Sequence, residues 1–214
     1  MKLYHYWRSS ASYRVRAALN LKQLKYDQVA VDLLKGEQCK HEYTTLNPAQ
    51  SVPSLEVENG HVITQSLTIM EYIDSVWNTK PQLLPSKPLK RAQVQAIAHA
   101  VAMDIHPMNN LRVASQLRQG FGATEEHVKN WMQHWMVSGF ERIEAMLPSG
   151  NMFAFEKGPS IADLCIVSQV YNARRWGVEM KPFPRISRIE QQCLKIPEIL
   201  SAHPDNQPEA TQQQ

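Results

Sequence analysis

The sequence predicts two units of different class. An α/β unit with the element order βαβ-ββα spans residues 1–80, and an all-helical unit spans 89–214, with a linker at 81–88. Three observations carry this reading. A strand-like run, Lys2 to Tyr6, is followed by helix-like and strand-like runs in the order of a parallel βαβ unit. Two alternating runs flank Asn59-Gly60, a dipeptide whose residues both tolerate the positive φ of a hairpin turn. After Pro81, Pro85 and Pro88 the strand-like alternation stops, and apolar residues recur at helical spacing instead.

In the first unit, Leu3 to Tyr6 forms the opening strand and Val15 to Leu21 the body of a helix. Between them Ser9, Ser10 and Ser12 put hydroxyls where the first helical N–H groups lack partners. A serine there either caps the helix or helps its positive end hold an anion. Tyr26 to Val31 alternates as a second strand, and a short helix leads to Leu46-Asn47-Pro48. The hairpin strands are Gln50 to Glu58 and His61 to Thr64. Pro53 stands at the entrance of the first, where statistics favour a trans bond and a cis bond would free the preceding backbone for a ligand. Ser66 is expected to cap the next helix, Leu67 to Ile73, although Ile69 rules out a reciprocal capping box. This order is thioredoxin-like, with serines where a redox member would keep its cysteine pair. Thiol–disulfide exchange is thereby disfavoured, and binding of another molecule's thiol fits.

In the second unit, Ala92 to Met103 reads as a helix, and Trp131 to Leu147 carries an apolar stripe that stops before Pro148. Those aromatics are read as core. Ser160-Ile161-Ala162-Asp163 has the form of a capping box opening the most apolar helix, Leu164 to Val170, so Asp163 is structural. Ile186 to Leu194 resumes helix after Pro182-Phe183-Pro184, and the polar tail from Asp205 is expected to be loose.

Composition excludes several classes. With 43% hydrophobic and 20% charged residues the chain is expected to fold as a globular protein. A formal net charge of +3, without a basic run, gives no footprint for nucleic acid. No apolar stretch approaches the ~18 residues of a membrane span, and no signal segment opens the chain. Cys39, Cys165 and Cys193 are scattered and form no C-x-x-C pair, which points to free thiols, a reducing compartment and a cytoplasmic location. No metal-ligand spacing is present.

Ser9-Ser10-Ala11-Ser12-Tyr13-Arg14-Val15-Arg16 resembles the S-S-C-S-aromatic-R-V-R motif of the zeta-class glutathione transferases. Leu46-Asn47-Pro48, Val52-Pro53 and Gln65-Ser66 fit the same family. So do Asp104-Ile105-His106-Pro107, Asn109 to Val113, Ile161 to Cys165, Gln169 to Trp176 and Ala202-His203-Pro204. These motifs run in order along nearly the whole chain, and the class includes the maleylacetoacetate and maleylpyruvate isomerases. One position departs: Ala11 stands where the family has cysteine, which puts a covalent or redox role of this turn in doubt and leaves thiol activation untouched.

The resemblance implies the glutathione transferase architecture, glutathione as cofactor and a homodimer. By it, Ser9 and Ser10 hold the glutathione sulfur as a thiolate, helped by the helix dipole. Gln38, Val52 (before a cis Pro53), Gln65, Ser66 and Asn109 complete the glutathione contacts. Arg8, His106, Arg112 and Arg175 match the substrate-binding set, suited to a dianionic maleyl ketoacid because arginine's planar fork pairs with carboxylates. Arg174 is left as a surface or packing residue. The implied reaction is reversible addition of the thiolate to the cis double bond, with rotation before expulsion. His106 either moves a proton or only hydrogen-bonds the substrate. Maleylacetoacetate is the expected substrate, with maleylpyruvate and general conjugation of electrophiles as alternatives. A non-catalytic relative is expected to lack the activating hydroxyl or the Gln-Ser pair, and both are present.

Overall fold

The protein is described from a computed structural model over residues 1–79, 81–155 and 157–212. Lys80, at the end of the expected first unit, and Gln213 and Gln214, at the end of the expected tail, lie outside the described residues.

Strand β1 (Lys2–His5) leads to helix α1 (Ser10–Leu21) and then to β2 (Asp27–Ala30). A 3-10 turn (Glu37–Cys39) and α2 (His41–Leu46) follow, then β3 (Ser54–Glu56), β4 (Val62–Thr64) and α3 (Ser66–Val76). The sheet order is β2-β1-β3-β4. β1 and β2 are parallel, while β3 runs antiparallel to both β1 and β4, with Leu3 opposite Leu55 and Leu55 opposite Ile63. Leu3 and Leu55 are fully buried, as period-2 alternation on one core face requires. Helices α1 and α3 pack side by side. Asn59 and Gly60 take φ of 59° and 74° in the connection between β3 and β4, the conformation for which that dipeptide is suited.

The cap of α3 differs from expectation. Gln65 holds the cap position with φ 69° and ψ 121°, and Ser66 is the first helical residue. Its hydroxyl is engaged by the buried Arg14, whose Nη1 donates to Ser66 Oγ at 3.2 Å.

The helical unit comprises α4 (Pro88–His99), α5 (Leu111–Phe121), α6 (Glu125–Met146), α7 (Ile161–Arg175) and α8 (Pro184–Cys193). α4 starts earlier than expected, with Pro88 at its first position, where a missing N–H costs nothing. It gives way to a π-helical turn at Ala100–Ile105 and a 3-10 turn at His106–Asn109. Gly139 of α6 meets that π turn closely: a Cβ there would overlap the Ile105 side chain. α7 is buried from Ile161 through Ala173. Asp163 is fully buried at its start, accepting from the N–H of Ala154 at 2.7 Å, the N–H of Ser160 at 2.8 Å and the Ser160 hydroxyl at 2.6 Å.

Two compact units result, Met1–Leu84 with Leu194–Gln214, and Pro85–Cys193. The expected helical unit at 89–214 is therefore corrected at its end. Helix α9 (Pro197–Ser201) packs on α1, and Asn20 Nδ2 donates to the Glu198 carbonyl at 3.1 Å. The expected helix ends at Leu194, and nothing local in 194–201 says which unit the segment joins, because an apolar face does not name its partner. The tail is also corrected: it forms 3-10 turns at Pro204–Asn206 and Pro208–Gln212. Gln207 is buried there, its Nε2 donating to the carbonyls of Ser201 and His203, each at 2.9 Å.

Candidate active site

Strand register gathers the predicted glutathione contacts of the first unit at one end of the sheet. β1 and β3 are antiparallel with Tyr4 opposite Ser54, so the exit of β1 lies beside the entrance of β3. β4 pairs Thr64 with Ser54, which brings its exit to the same end. β2 runs parallel to β1, and Val31 N–H donates to the His5 carbonyl at 2.8 Å just where both strands finish. The segments leaving this end are Tyr6–Ser10, Asp32 onward to Gln38, Val52-Pro53 and Gln65-Ser66.

Ser9 is the N-cap of α1, with φ −69° and ψ 120°, and its Oγ accepts from Ser12 N–H at 3.2 Å. Accepting in that bond leaves the hydroxyl proton of Ser9 to donate elsewhere. Ser10 is the buried first residue of the helix. Both readings of the serine junction, cap and anion site, are thus compatible with one geometry. Arg8 is half-buried and stacks over the Trp7 ring, its Cζ 5.4 Å from the ring centroid. The Val52–Pro53 bond is cis. Gln38 Oε1 is buried and meets no hydrogen-bond donor among the described residues. Gln65 is exposed and Ser66 buried at the head of α3, a second helix start whose free N–H groups favour a carboxylate.

The predicted residues of the helical unit fall in two places joined by α6. His106 and Asn109 lie on the 3-10 turn and Arg112 in the first turn of α5, where the Asn110 side chain caps the helix. Trp131 Nε1 donates to the Met108 carbonyl at 3.0 Å, fixing this turn to α6. Asn109 is buried, and its Nδ2 is taken by the Met132 carbonyl at 3.2 Å, leaving the buried Oδ1 without a hydrogen-bond partner among the described residues. Two residues along α6 from Trp131, Gln133 Nε2 donates to the Trp176 carbonyl at 2.8 Å, just beyond Arg175. Arg175 is exposed, its Nη1 donates to Asn172 Oδ1 at 3.4 Å, and its Cζ stands 5.9 Å from the Tyr171 ring centroid. It lines an open cleft of about 360 Å³ with Glu125, Lys129, Arg174, Trp176 and Gly177. Arg112 is exposed and His106 half-buried. Arg174 is bound to both oxygens of Glu190, at 2.8 and 2.6 Å.

Sequence reasoning missed three buried polar residues beside the serine junction: Arg14, Arg16 and His5. The signal of the arginines was present, since the two interrupt an otherwise apolar run from Tyr13 to Leu19. Burial, with Arg16 close by, pushes the His5 imidazole down to about 3. Burial raises the Asp163 carboxyl against the pull of its hydrogen bonds, and it raises the Cys193 thiol well above its usual range. Cys39 is exposed and Cys165 and Cys193 are buried, and none of the three is in a disulfide. Among the described residues, no group of three or more His, Cys, Asp or Glu could hold a metal ion, and no helix is long and apolar enough to cross a membrane.

Residues 1–75 match the family described as Glutathione S-transferase, N-terminal domain. The chain is 40% identical to a probable maleylacetoacetate isomerase of Vibrio cholerae over 97% of each chain. A bacterial zeta-class maleylpyruvate isomerase superimposes with a TM-score of 0.94 at 39% identity, covering 98% of this chain and 99% of that one. A maleylacetoacetate isomerase from Methylobacterium extorquens, solved with bound malonate and glutathione, gives 0.91 at 33% identity, covering 98% and 99%. The chain belongs to the zeta-class glutathione transferases, in the family of the maleylacetoacetate and maleylpyruvate isomerases.

Proposed function

We propose that this protein is a glutathione-dependent cis–trans isomerase that converts maleylacetoacetate to fumarylacetoacetate in aromatic amino acid (tyrosine) catabolism. The observation that carries the reading is the convergence at one sheet end of a serine-headed α1, a Val52 backbone beside cis Pro53, and the Gln65-Ser66 head of α3. The donor set fits glutathione. Two helix N-termini suit a thiolate and a carboxylate, and the buried Gln38 Oε1 lacks the donor that a peptide N–H would provide. When bound, glutathione supplies a thiolate for reversible addition to the cis double bond of the substrate.

Ser9 and Ser10 hold that sulfur in its charged form, because hydroxyl donation and the helix N-terminus both favour the thiolate. Gln38, Val52, Gln65, Ser66 and Asn109 bind the remainder of the tripeptide. Arg8, Arg112 and Arg175 pair with the two carboxylates of the substrate, and charge developing on its ketone oxygen is stabilised by the same donors. His106 either moves a proton or hydrogen-bonds the substrate. The reading includes a cytoplasmic homodimer with no nucleic-acid or membrane partner.

Maleylpyruvate is the second substrate to weigh, since the relative with a TM-score of 0.94 carries that name. Isomerisation of the two compounds, side by side and with and without glutathione, tests both. Strict glutathione dependence with either one supports the reading, and the larger kcat/KM selects the substrate. Absence of turnover with both, while conjugation of a neutral electrophile persists, would make this a general transferase. Retention on immobilised glutathione by neither the wild type nor Ser10→Ala would make it a non-catalytic relative.

A further inference from the structure

We propose that Arg16 is a positioning residue for thiol activation, holding the backbone that carries Ser9 and Ser10, and that the C-terminal segment is part of the same brace. The proposal rests on the functional reading above and adds a residue pair to it. Arg16 lies within α1, six residues past Ser10, and is fully buried. Its Nη2 donates to the Trp7 carbonyl at 3.0 Å and its Nη1 to the Tyr6 carbonyl at 3.5 Å. Its Nε donates to the Ala202 carbonyl at 3.1 Å, and Nη1 also meets His5 Nδ1 at 3.2 Å.

A cation in a core is unfavourable unless its donors are met, and an apolar side chain would fill this face of α1 at no such cost. What only the guanidinium supplies is a planar fork of donors reaching several carbonyls at once. Two of those carbonyls belong to the loop between β1 and α1. The Tyr6 carbonyl also receives the Ser9 N–H at 3.0 Å, so Arg16 anchors the group against which Ser9 is set. The brace continues outward. Arg16 has no acceptor, so His5 Nδ1 must accept and the His5 proton sits on Nε2. Nε2 faces Glu209 Oε1 at 3.7 Å, in the last 3-10 turn of the chain. Arg16 thus ties the end of β1, the serine loop and the Ala202 backbone into one network. Glu209, beyond hydrogen-bond reach of His5, is a weaker electrostatic neighbour.

Loss of this network shifts Ser9 and Ser10 relative to the head of α1. The grip at Ser66 is held separately by Arg14 and stays. The signature is therefore a fall in kcat and a rise in the pKa of bound glutathione, with little change in its binding.

The test is Arg16→Lys and Glu209→Ala in the full chain, with folding checked by circular dichroism. Glutathione affinity is read by calorimetry, its thiolate by ultraviolet absorbance against pH, and turnover by isomerisation. For Arg16→Lys, kcat falls on the order of tenfold to a hundredfold, as for a misplaced reacting group. The thiol pKa rises, and glutathione Kd stays within about threefold. Glu209→Ala moves the thiol pKa the same way by less. If Arg16→Lys does not fold, Arg16→Gln, which keeps N–H donors without the charge, takes its place in the same measurements. Folded variants with wild-type kcat and thiol pKa overturn the proposal while leaving the functional reading intact. Wild-type protein that gives no glutathione thiolate signal overturns both.

Discussion

Replacing His5 by asparagine should remove a specific part of the acid sensitivity of folding. The imidazole is fully buried at the end of β1, and its pKa falls from 6.5 to about 3, by burial first and Arg16 second. Arg16 and Glu209 are the charged groups that face it, and they oppose each other. Arg16 wins because it is nearer, 3.2 Å against 3.7 Å, and wholly out of water, whereas the Glu209 side chain is 26% exposed. The folded protein therefore binds this proton less readily than the unfolded chain. The sign follows: stability is complete above pH 6.5 and is lost progressively as pH falls toward 3. Each pH unit in that window costs about 1.4 kcal/mol, so moving from pH 6.5 to 5 costs about 2 kcal/mol. For a chain of this size that is roughly 4 to 8 °C in Tm. Asparagine keeps an acceptor for Arg16 and does not titrate. Urea melts of both proteins at pH 7.5 and pH 5 give the comparison. The wild type should lose about 2 kcal/mol more than His5→Asn over that interval. Equal losses would refute the claim that this histidine is held neutral.

Two further predictions concern the helical unit. Arg112→Ala should raise KM for the dianionic substrate by roughly tenfold to a hundredfold, the worth of one charge-assisted contact. KM for a neutral electrophile should stay within about threefold, and steady-state kinetics showing equal effects on both would remove Arg112 from the anchoring role. Asp163→Ala leaves the buried N–H groups of Ala154 and Ser160 without their acceptor and should cost about 3 to 5 kcal/mol. A thermal melt should fall by roughly 6 to 20 °C, and a shift of only a degree or two would show that water replaces the carboxylate.

The elements of the fold were legible where local chemistry decides them. The Asn59-Gly60 turn, the serine-capped start of α1 and the proline-bounded end of α6 each follow from one or two residues with a strong backbone preference. The cap of α3 was read one residue late, because Ser66 is a good capping residue in isolation and its hydroxyl is here occupied by Arg14 from another helix. The unit to which 194–212 belongs was not legible for the same reason. Its ties run to Asn20 and Arg16, more than 170 positions away, as the 178-residue and 186-residue separations of those hydrogen bonds record.

The site divides along the same line. The serine junction was picked out because a helix start leaves a mark in the sequence, whereas Gln65 and Val52 were proposed through the family resemblance. Strand register then explains why segments so far apart come to one end of the sheet. The buried arginines leave the opposite mark, a charge where an apolar pattern asks for none. In α1 the residues from Tyr13 to Leu19 are all buried, so Arg14 and Arg16 cannot be solvated surface charges, and each must find its acceptors inside. Arg14 finds one in Ser66 and Arg16 finds carbonyls of the serine loop. A helix whose purpose were only to fill the core would carry leucine at both positions. The two arginines instead hold backbone and hydroxyl groups at the heads of two helices, the places at which the proposed function puts the bound anions.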